Sequence, residues 1–425
     1  MNTGDTAWVL MSTGLVLFMT IGLALFYGGM VRSQHALTMI LQNVACIGVV
    51  TLMWLLITFS LAFDRGNGFI GGLHYLGLEG IDHATLAGFT GAHALTIPAL
   101  AFFHYHLMFA IITPALITGA TADRLKFAGW VIFVAVWVTI VYAPVAHWIF
   151  SPVGWLAKLG VEDFAGGAVV HTTAGAAALA LVLVLGPRRG WPKSLKKLRP
   201  NSMPLVLLGT GILWFGWFGF NAGSALGANI LAVHALVNTQ IGGSAGLAFW
   251  LLAERFKEGN VTSLGGGSGA IAGLAAVTPA AGFVSPMAAL LIGVCAGIIC
   301  FYATRLKFVF HYDDALDVVG VHLFGGILGM LLLSLLSSRA INARGENGLF
   351  YGGGLHLVWL QALAVVVVFL YAFVVSFILG KVIDKTIGLR VSAEEEDRGL
   401  DISQLVETAY QPPWFDNGED DETAL

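Results

Sequence analysis

The chain has 425 residues, 57% of them hydrophobic and 11% charged, with a mean hydropathy of +0.82. A soluble domain carries about 25% charged residues, so the composition excludes a soluble protein and implies an integral membrane protein. The net charge of −4 says little by itself, because the distribution of sign matters more than its sum, and no nucleic-acid partner is expected. Cys46, Cys295 and Cys300 lie in apolar runs and read as small buried hydrophobes rather than a disulfide framework. The Cys295/Cys300 pair has neither the spacing nor the companions of a metal site, so no metal or cofactor is expected.

The first apolar run follows Asp5 with no basic segment before it, and it is longer than the core of a signal peptide, so it reads as a retained span. Stretches free of Asp, Glu, Lys and Arg run over 6–31, 33–63, 84–122, 127–157, 164–187, 200–253, 259–304, 318–338 and 347–380. A span needs about 20 apolar residues. The stretches 200–253 and 259–304 hold two spans each, with breaks near Gly223–Asn229 and Pro279–Pro286. The expected fold is therefore an all-α integral membrane protein with eleven transmembrane helices.

Seventeen of the 21 Lys and Arg residues fall on the side reached after odd-numbered spans, including the cluster Arg188, Arg189, Lys193, Lys196, Lys197 and Arg199. Basic residues stay cytoplasmic, so the N-terminus is expected outside and the C-terminus inside. The basic, proline-bounded loop 187–200 divides the chain into five spans, five spans and one more. Two halves with an odd number of spans sit inverted in the membrane. The expected division is a first repeat at about 6–187, a second at about 200–338, and an eleventh span at about 355–384. An acidic tail over 385–425 completes it. Residues 386–425 hold eleven acidic and two basic residues and read as solvated, especially beyond Gln411.

One motif occurs twice. Asp163 is followed eight residues later by His171, and Asp314 by His322, at the fifth and tenth spans. A histidine inside an apolar span is costly and marks function by default. For one such histidine a bond to a backbone carbonyl is the ordinary reading, but a motif-matched pair points to a shared site near the midplane. Two imidazoles in contact share one proton and offer a polar line through an apolar tube. Asp163 and Asp314 can cap the helices they precede, and Asp163, on the outer side, also lends negative potential to a vestibule. Aromatic runs at 102–109 and 214–220 combine ordinary packing with the capacity to attract cations. His104, His106, His147, His234 and His356 also lie in apolar runs and read as satisfied histidines.

The chain resembles the ammonium transporter family, of the bacterial type. The likeness rests on Phe26-Tyr27-Gly28-Gly29-Met30, the segment Phe109–Ile117, the Asp163–His171 motif and Trp217–Ser224. It extends through Asp313–His322 and Gly388-Leu389-Arg390-Val391, and so covers nearly the whole chain. The resemblance implies a homotrimer in the bacterial inner membrane, each subunit with its own pore, carrying ammonium or ammonia. It implies that Phe109 and Phe220 are a stacked gate, that His171 and His322 line the pore and relay protons, and that Ser224 binds ammonium in the outer vestibule. In the implied mechanism ammonium is deprotonated outside and crosses as ammonia. The resemblance also implies contact of the cytoplasmic tail with a PII-type regulator.

Three positions depart from the family's pattern. Phe150 stands where the family has a vestibule tryptophan, with Trp148 two residues away. Tyr105 replaces a usual phenylalanine and His106 a usual glutamine. The outer recruitment set is thus Ser224, Phe150, Tyr105 and Trp148. A neutral ammonia channel of the Rhesus type and a non-transporting ammonium sensor are the alternatives. An intramembrane enzyme is not expected, since no nucleophile-elbow or zinc-protease motif is present.

Overall fold

The computed structural model describes residues 1–410 except 82–85, 87 and 194–197. The segment from Gln411 onward, read above as solvated, lies outside the described residues, as do Lys196 and Lys197. The described residues are helical throughout, apart from loops and two isolated β-bridges.

The long helices are α1 Thr3–Met30, α2 Ser33–Phe63, α3 Ala99–Ile117, α4 over 127–150, α5 Gly167–Leu185 and α6 Met203–Gly223. They continue as α7 Ile230–Glu258, α8 Ser263–Val277, α9 Pro286–Val309, α10 Val319–Leu336 and α11 His356–Thr386. Among the described residues, nine helical segments are long and apolar enough to cross a bilayer. Of the long helices, α7 and α8 fall outside that set: α8 has only 15 residues, and α7 carries Asn238, Gln240, Glu254 and Arg255 within its length. The charge-free third stretch, 84–122, is only partly helical. Pro98 caps α3, and the chain before it forms an outer loop.

Close backbone approach holds the bundle together. In a bilayer helices associate through packing rather than apolar burial, so small residues fill their interfaces. α1 runs along α6 with Gly209 against it. A Cβ on Gly209 would lie 2.4 Å from the amide nitrogen of Phe26. α5 and α10 meet the same way, because a Cβ on Gly326 would lie 2.6 Å from the Gly167 carbonyl oxygen. α11 lies across α4, α5 and α10.

The end carrying the basic connections is closed by a buried ion network. Arg188 donates to Asp313 through Nε (2.9 Å), Nη2 (2.8 Å) and its backbone N–H (2.7 Å). Asp123 lies between Arg188 (3.6 Å) and Arg32 (3.2 Å). The wholly buried Arg124 donates to the Asp313 carbonyl at 2.6 Å. The network joins the ends of α1, α3, α5 and α10.

The tail binds to this closed end. Arg390 donates to the Leu185 carbonyl (2.7 Å) and to Glu396 (2.8 Å), and Val391 N–H donates to the Arg124 carbonyl (3.1 Å). Asp401 accepts the N–H groups of Leu37 (3.0 Å) and Thr38 (2.8 Å) at the start of α2. Glu396, part of the acidic run over 394–397 that composition alone leaves at the surface, is 1% exposed. Its charge is matched by Arg390 and by the Arg189 amide, which offsets part of the cost of burying it.

Burial alone would raise the Asp123 carboxyl, but His35, Arg188 and Arg32 overcome that and hold it below the usual range. Such a group stabilises the fold above the unfolded carboxylate range, and the contribution disappears as pH falls through its lowered value. Arg188→Ala leaves Asp313 and Asp123 buried and short of counter-charge. It is expected to cost about 3–5 kcal/mol, read as a lowered thermal midpoint in detergent, with no such loss for Arg189→Ala.

Candidate functional site

The two motif histidines meet. Their rings stack with centroids 5.3 Å apart and planes 15° from parallel, and the two Nδ1 atoms are 3.3 Å apart. Each ring rises from a π-helical turn, Gly167–Thr172 for His171 and Val319–Leu323 for His322. A π turn inserts a residue and rotates all that follow it, a device common at functional sites. Each turn is capped by its aspartate. Asp163 accepts four N–H groups, from Gly166 (2.8 Å), Gly167 (2.6 Å), Ala168 (2.8 Å) and Val169 (3.1 Å). Asp314 accepts those of Val318 (3.1 Å) and Val319 (2.7 Å). The wider turn leaves more amides free of helical partners, and a carboxylate satisfies them.

With Nδ1 facing Nδ1, only one of the two atoms carries the shared proton. The ring that donates through Nδ1 presents an acceptor at Nε2, and the other presents a donor there. The His171 Nε2 has no partner among the described residues. The pair lines a narrow cavity of about 10 Å³ with Phe26, Val170, Trp217 and Phe220. That is about the room one water-sized molecule needs. Trp217 stacks on His171 at 5.5 Å and 22°, and its Nε1–H donates to Thr278 Oγ1 at 2.8 Å, which fixes the imidazole between two flat faces. The aromatic run containing Trp217 was visible in the sequence, but this role required the fold.

Phe109 and Phe220 stack face to face, with centroids 4.2 Å apart and planes 12° from parallel, and each is 1% exposed. Phe220 also lies 6.2 Å from His171. Beyond Phe109 a cavity of about 220 Å³ opens, lined by Phe102, Tyr105, His106, Phe109, Phe150, Asp163 and Ser224 among others. A wider mouth of about 410 Å³ shares Phe150, Asp163 and Arg344 and adds Asp5, Glu162 and Glu346. Four acidic groups and one arginine therefore bias the mouth toward cations.

The structure thus brings Phe150, Tyr105 and Ser224 to one cavity. Trp148 is a correction: it does not belong to the set of lining residues. Its Nε1–H donates to the Phe69 carbonyl at 2.7 Å and its ring packs on Tyr371 and Trp155. Two residues on a helix are about 200° apart, so Phe150 and Trp148 cannot share a face. The Tyr105 hydroxyl reaches the carbonyls of Gly219 (2.9 Å) and Phe220 (2.8 Å) and lies 3.2 Å from Ser224 Oγ. Ser224 also donates to the Phe220 carbonyl at 2.8 Å. The hydroxyls of Tyr105 and Ser224 thus converge on the backbone of the gate.

The remaining histidines divide. Both ring nitrogens of His147 face carbonyls, of Ala62 and Asn67, at 2.8 Å, and His356 pairs with Glu346 at 3.0 Å. His106 does not fit the satisfied reading, since its Nδ1 has no partner among the described residues.

Glu162, beside Asp163, was not singled out in the sequence. Its carboxylate accepts from Ser337 Oγ at 2.9 Å and from the Glu346 N–H, which ties the loop before α11 to the mouth. Burial, assisted by the neighbouring Glu346 charge and partly opposed by these two donors, pushes its carboxyl up to about 7 from an ordinary 4.5. The unfolded chain loses this proton first, so the fold loses stability as pH rises from about 4.5 to about 7. Glu162→Gln is expected to abolish that part of the decline in a series of thermal midpoints against pH.

Comparisons with known proteins identify the family. The Ammonium Transporter Family profile matches residues 7–410. An ammonium transporter of Mycobacterium tuberculosis (strain H37Rv) is 48% identical over 431 aligned residues, covering 96% of this chain and 90% of its own. The crystal structure of Saccharomyces cerevisiae Mep2 superposes with a TM-score of 0.86 at 33% identity, covering 93% of this chain and 88% of that one. A structure described as a sensor Amt protein superposes with a TM-score of 0.85 at 28% identity, over 94% of this chain and 98% of that one. The chain belongs to the ammonium transporter family: it is a multi-pass membrane protein that transports ammonium and is not an enzyme.

Proposed function

We propose that transport runs from the acidic mouth, past the Phe109/Phe220 stack, along the His171/His322 pair to the basic end. The single observation that carries this reading is the succession of outer cavity, stacked phenyl pair and stacked imidazole pair, contiguous in space. Ammonium is recruited at the outer cavity, where Ser224 and the rings of Phe150 and Tyr105 face it. Desolvation between the phenyl rings disfavours the cation, so ammonium gives its proton up to the imidazole pair just beyond them, where His171 Nε2, without a partner among the described residues, can take it. Ammonia then passes the imidazole pair, taking hydrogen bonds from one ring and giving them to the other. The pair relays the proton through its shared Nδ1 position. Asp163 and Asp314 hold the two helices in register as caps, and Asp163 adds negative potential to the outer cavity.

α7 and α8 cross the bilayer with the other nine, which gives eleven transmembrane helices. The matched capped π turns in α5 and α10 support two inverted five-helix repeats, about 6–187 and 200–338, with α11 as the extra element. Basic connections gathered at one end support a cytoplasmic C-terminus and an outer N-terminus in a bacterial inner membrane. Three subunits, each with its own pore, form a homotrimer. The tail over 385–425 forms the cytoplasmic surface, and its docked part couples any partner there, including a PII-type regulator, to the ends of α2, α3 and α5.

The test is the current from purified protein in liposomes on a solid-supported membrane after an ammonium pulse. Wild type is expected to give a saturable current that potassium does not reproduce. In the double variant His171→Ala/His322→Ala, water can replace the imidazoles and the ratio of ammonium to potassium current is expected to fall about tenfold or more, the equivalent of about 1.4 kcal/mol of discrimination. An unchanged ratio overturns the role of the pair. Ammonia flux seen by a pH-sensitive dye without current indicates a neutral channel.

A further inference from the structure

Two imidazole nitrogens along the path have no protein partner among the described residues, and they lie on opposite sides of the phenyl stack: His171 Nε2 beyond Phe220 and His106 Nδ1 beyond Phe109. The first belongs to the pair already described. The second has no role in that mechanism. His106 is 7% exposed and lines the outer cavity. Its ring centroid lies 4.2 Å from that of Phe102, 4.8 Å from Phe63, 5.6 Å from Phe150 and 5.7 Å from Phe109. Around it, then, is a wall of aromatic rings with few polar atoms. A buried polar nitrogen left without a partner is costly, typically about 1–3 kcal/mol, and such atoms persist where a ligand supplies the missing bond.

We infer that His106 is a specificity-determining residue of the outer site, its neutral ring accepting a hydrogen bond from ammonium or methylammonium held beside Phe102, Phe109 and Phe150. The inference rests on the reading of this cavity as the recruitment site. The argument is one of discrimination. Aromatic faces attract any small cation, so the rings alone treat potassium and ammonium alike. Ammonium differs in carrying N–H donors, and an unpartnered acceptor on a ring that lines the cavity recognises them. An imidazole nitrogen is a poor ligand for a hard cation, which prefers oxygen.

The hydroxyl protons at the cavity are already engaged. The Ser224 hydroxyl donates to the Phe220 carbonyl, and the Tyr105 hydroxyl faces backbone carbonyls. The charged groups facing the cavity are Asp163 and Arg344, and the Asp163 carboxylate is occupied by four amides. Among the described lining residues His106 is the one whose side chain has a buried polar atom without a protein partner, so it adds an acceptor to the lone pairs that the two hydroxyls retain. Its neutral form has one donor and one acceptor nitrogen, so one edge of the ring can accept from the cation.

The experiment compares wild type with His106→Gln and His106→Met in proteoliposomes, recording current against ammonium concentration with and without potassium. Methionine fills an irregular apolar gap without restoring the acceptor, whereas glutamine restores one. His106→Met is expected to raise the half-saturating ammonium concentration about tenfold or more while most of the maximal current is retained, and to let potassium compete. His106→Gln is expected to keep half-saturation close to wild type. An unchanged half-saturation in the Met variant, a loss confined to the maximal current, or unchanged insensitivity to potassium overturns the inference. If the Met variant does not assemble, His106→Asn decides: its amide is one methylene shorter, and half-saturation must rise relative to the Gln variant. A wild type without saturable ammonium current would instead overturn the recruitment reading itself.

Discussion

The arrangement depends on two carboxylates that satisfy backbone amides where water cannot. α5 and α10 each begin with a π turn, and such a turn frees more N–H groups than an ordinary helix start. In a low-dielectric setting each unsatisfied amide costs several kcal/mol. Asp163 takes four of them and Asp314 two. With the turns stabilised, His171 and His322 project inward, and the absence of a side chain at Gly326 lets the two helices close until the imidazoles touch. The motif is therefore one structural unit: the aspartate makes the unusual turn tolerable, and the turn aims the histidine.

Polarity along the path is graded by the same accounting of partners. At the mouth, Asp5, Glu162, Asp163 and Glu346 face solvent-sized space and favour a hydrated cation. At the stack, two phenyl rings offer no hydrogen bond, so whatever passes gives up its water. Beyond it, the imidazole pair offers one donor and one acceptor in a space for a single small molecule. A cation is welcome at the first station, disfavoured at the second and replaceable by a neutral base at the third. That gradation is what the proposed separation of proton and ammonia requires, with the imidazole pair as the group that takes up the proton.

The closed basic end links this path to the tail. Arg188 and Asp313 hold α5 to the segment immediately before Asp314, so the network and the α10 cap are adjacent in the chain. Glu396 and Arg390 extend the same network into residues that follow α11, and Asp401 caps α2. A movement of the tail is thereby a movement of charged partners at the ends of α2 and α5, with the Asp314 turn next in the chain.

Much of this was legible in the sequence, because bilayer chemistry leaves blunt marks. Charge-free length marked the helical stretches, the breaks at Gly223–Asn229 and Pro279–Pro286 lie between α6 and α7 and between α8 and α9, and the doubled Asp–His spacing singled out two histidines that the fold brings together. Those features are local or periodic, and physical cost confines them to few interpretations. What the sequence could not decide was facing. Trp148 and Phe150 are equally aromatic, and only helix rotation turns one toward the cavity and the other toward Tyr371. His147 and His106 are both histidines in apolar runs, yet both ring nitrogens of one lie against carbonyls, while the Nδ1 of the other has no partner among the described residues. Glu396 looks solvated until Arg390 is brought beside it. Composition and spacing determined that the chain is a helical membrane protein with a paired histidine motif. Tertiary structure alone decided which polar atoms have partners, because a hydrogen bond across the fold depends on approach and angle that no local pattern encodes.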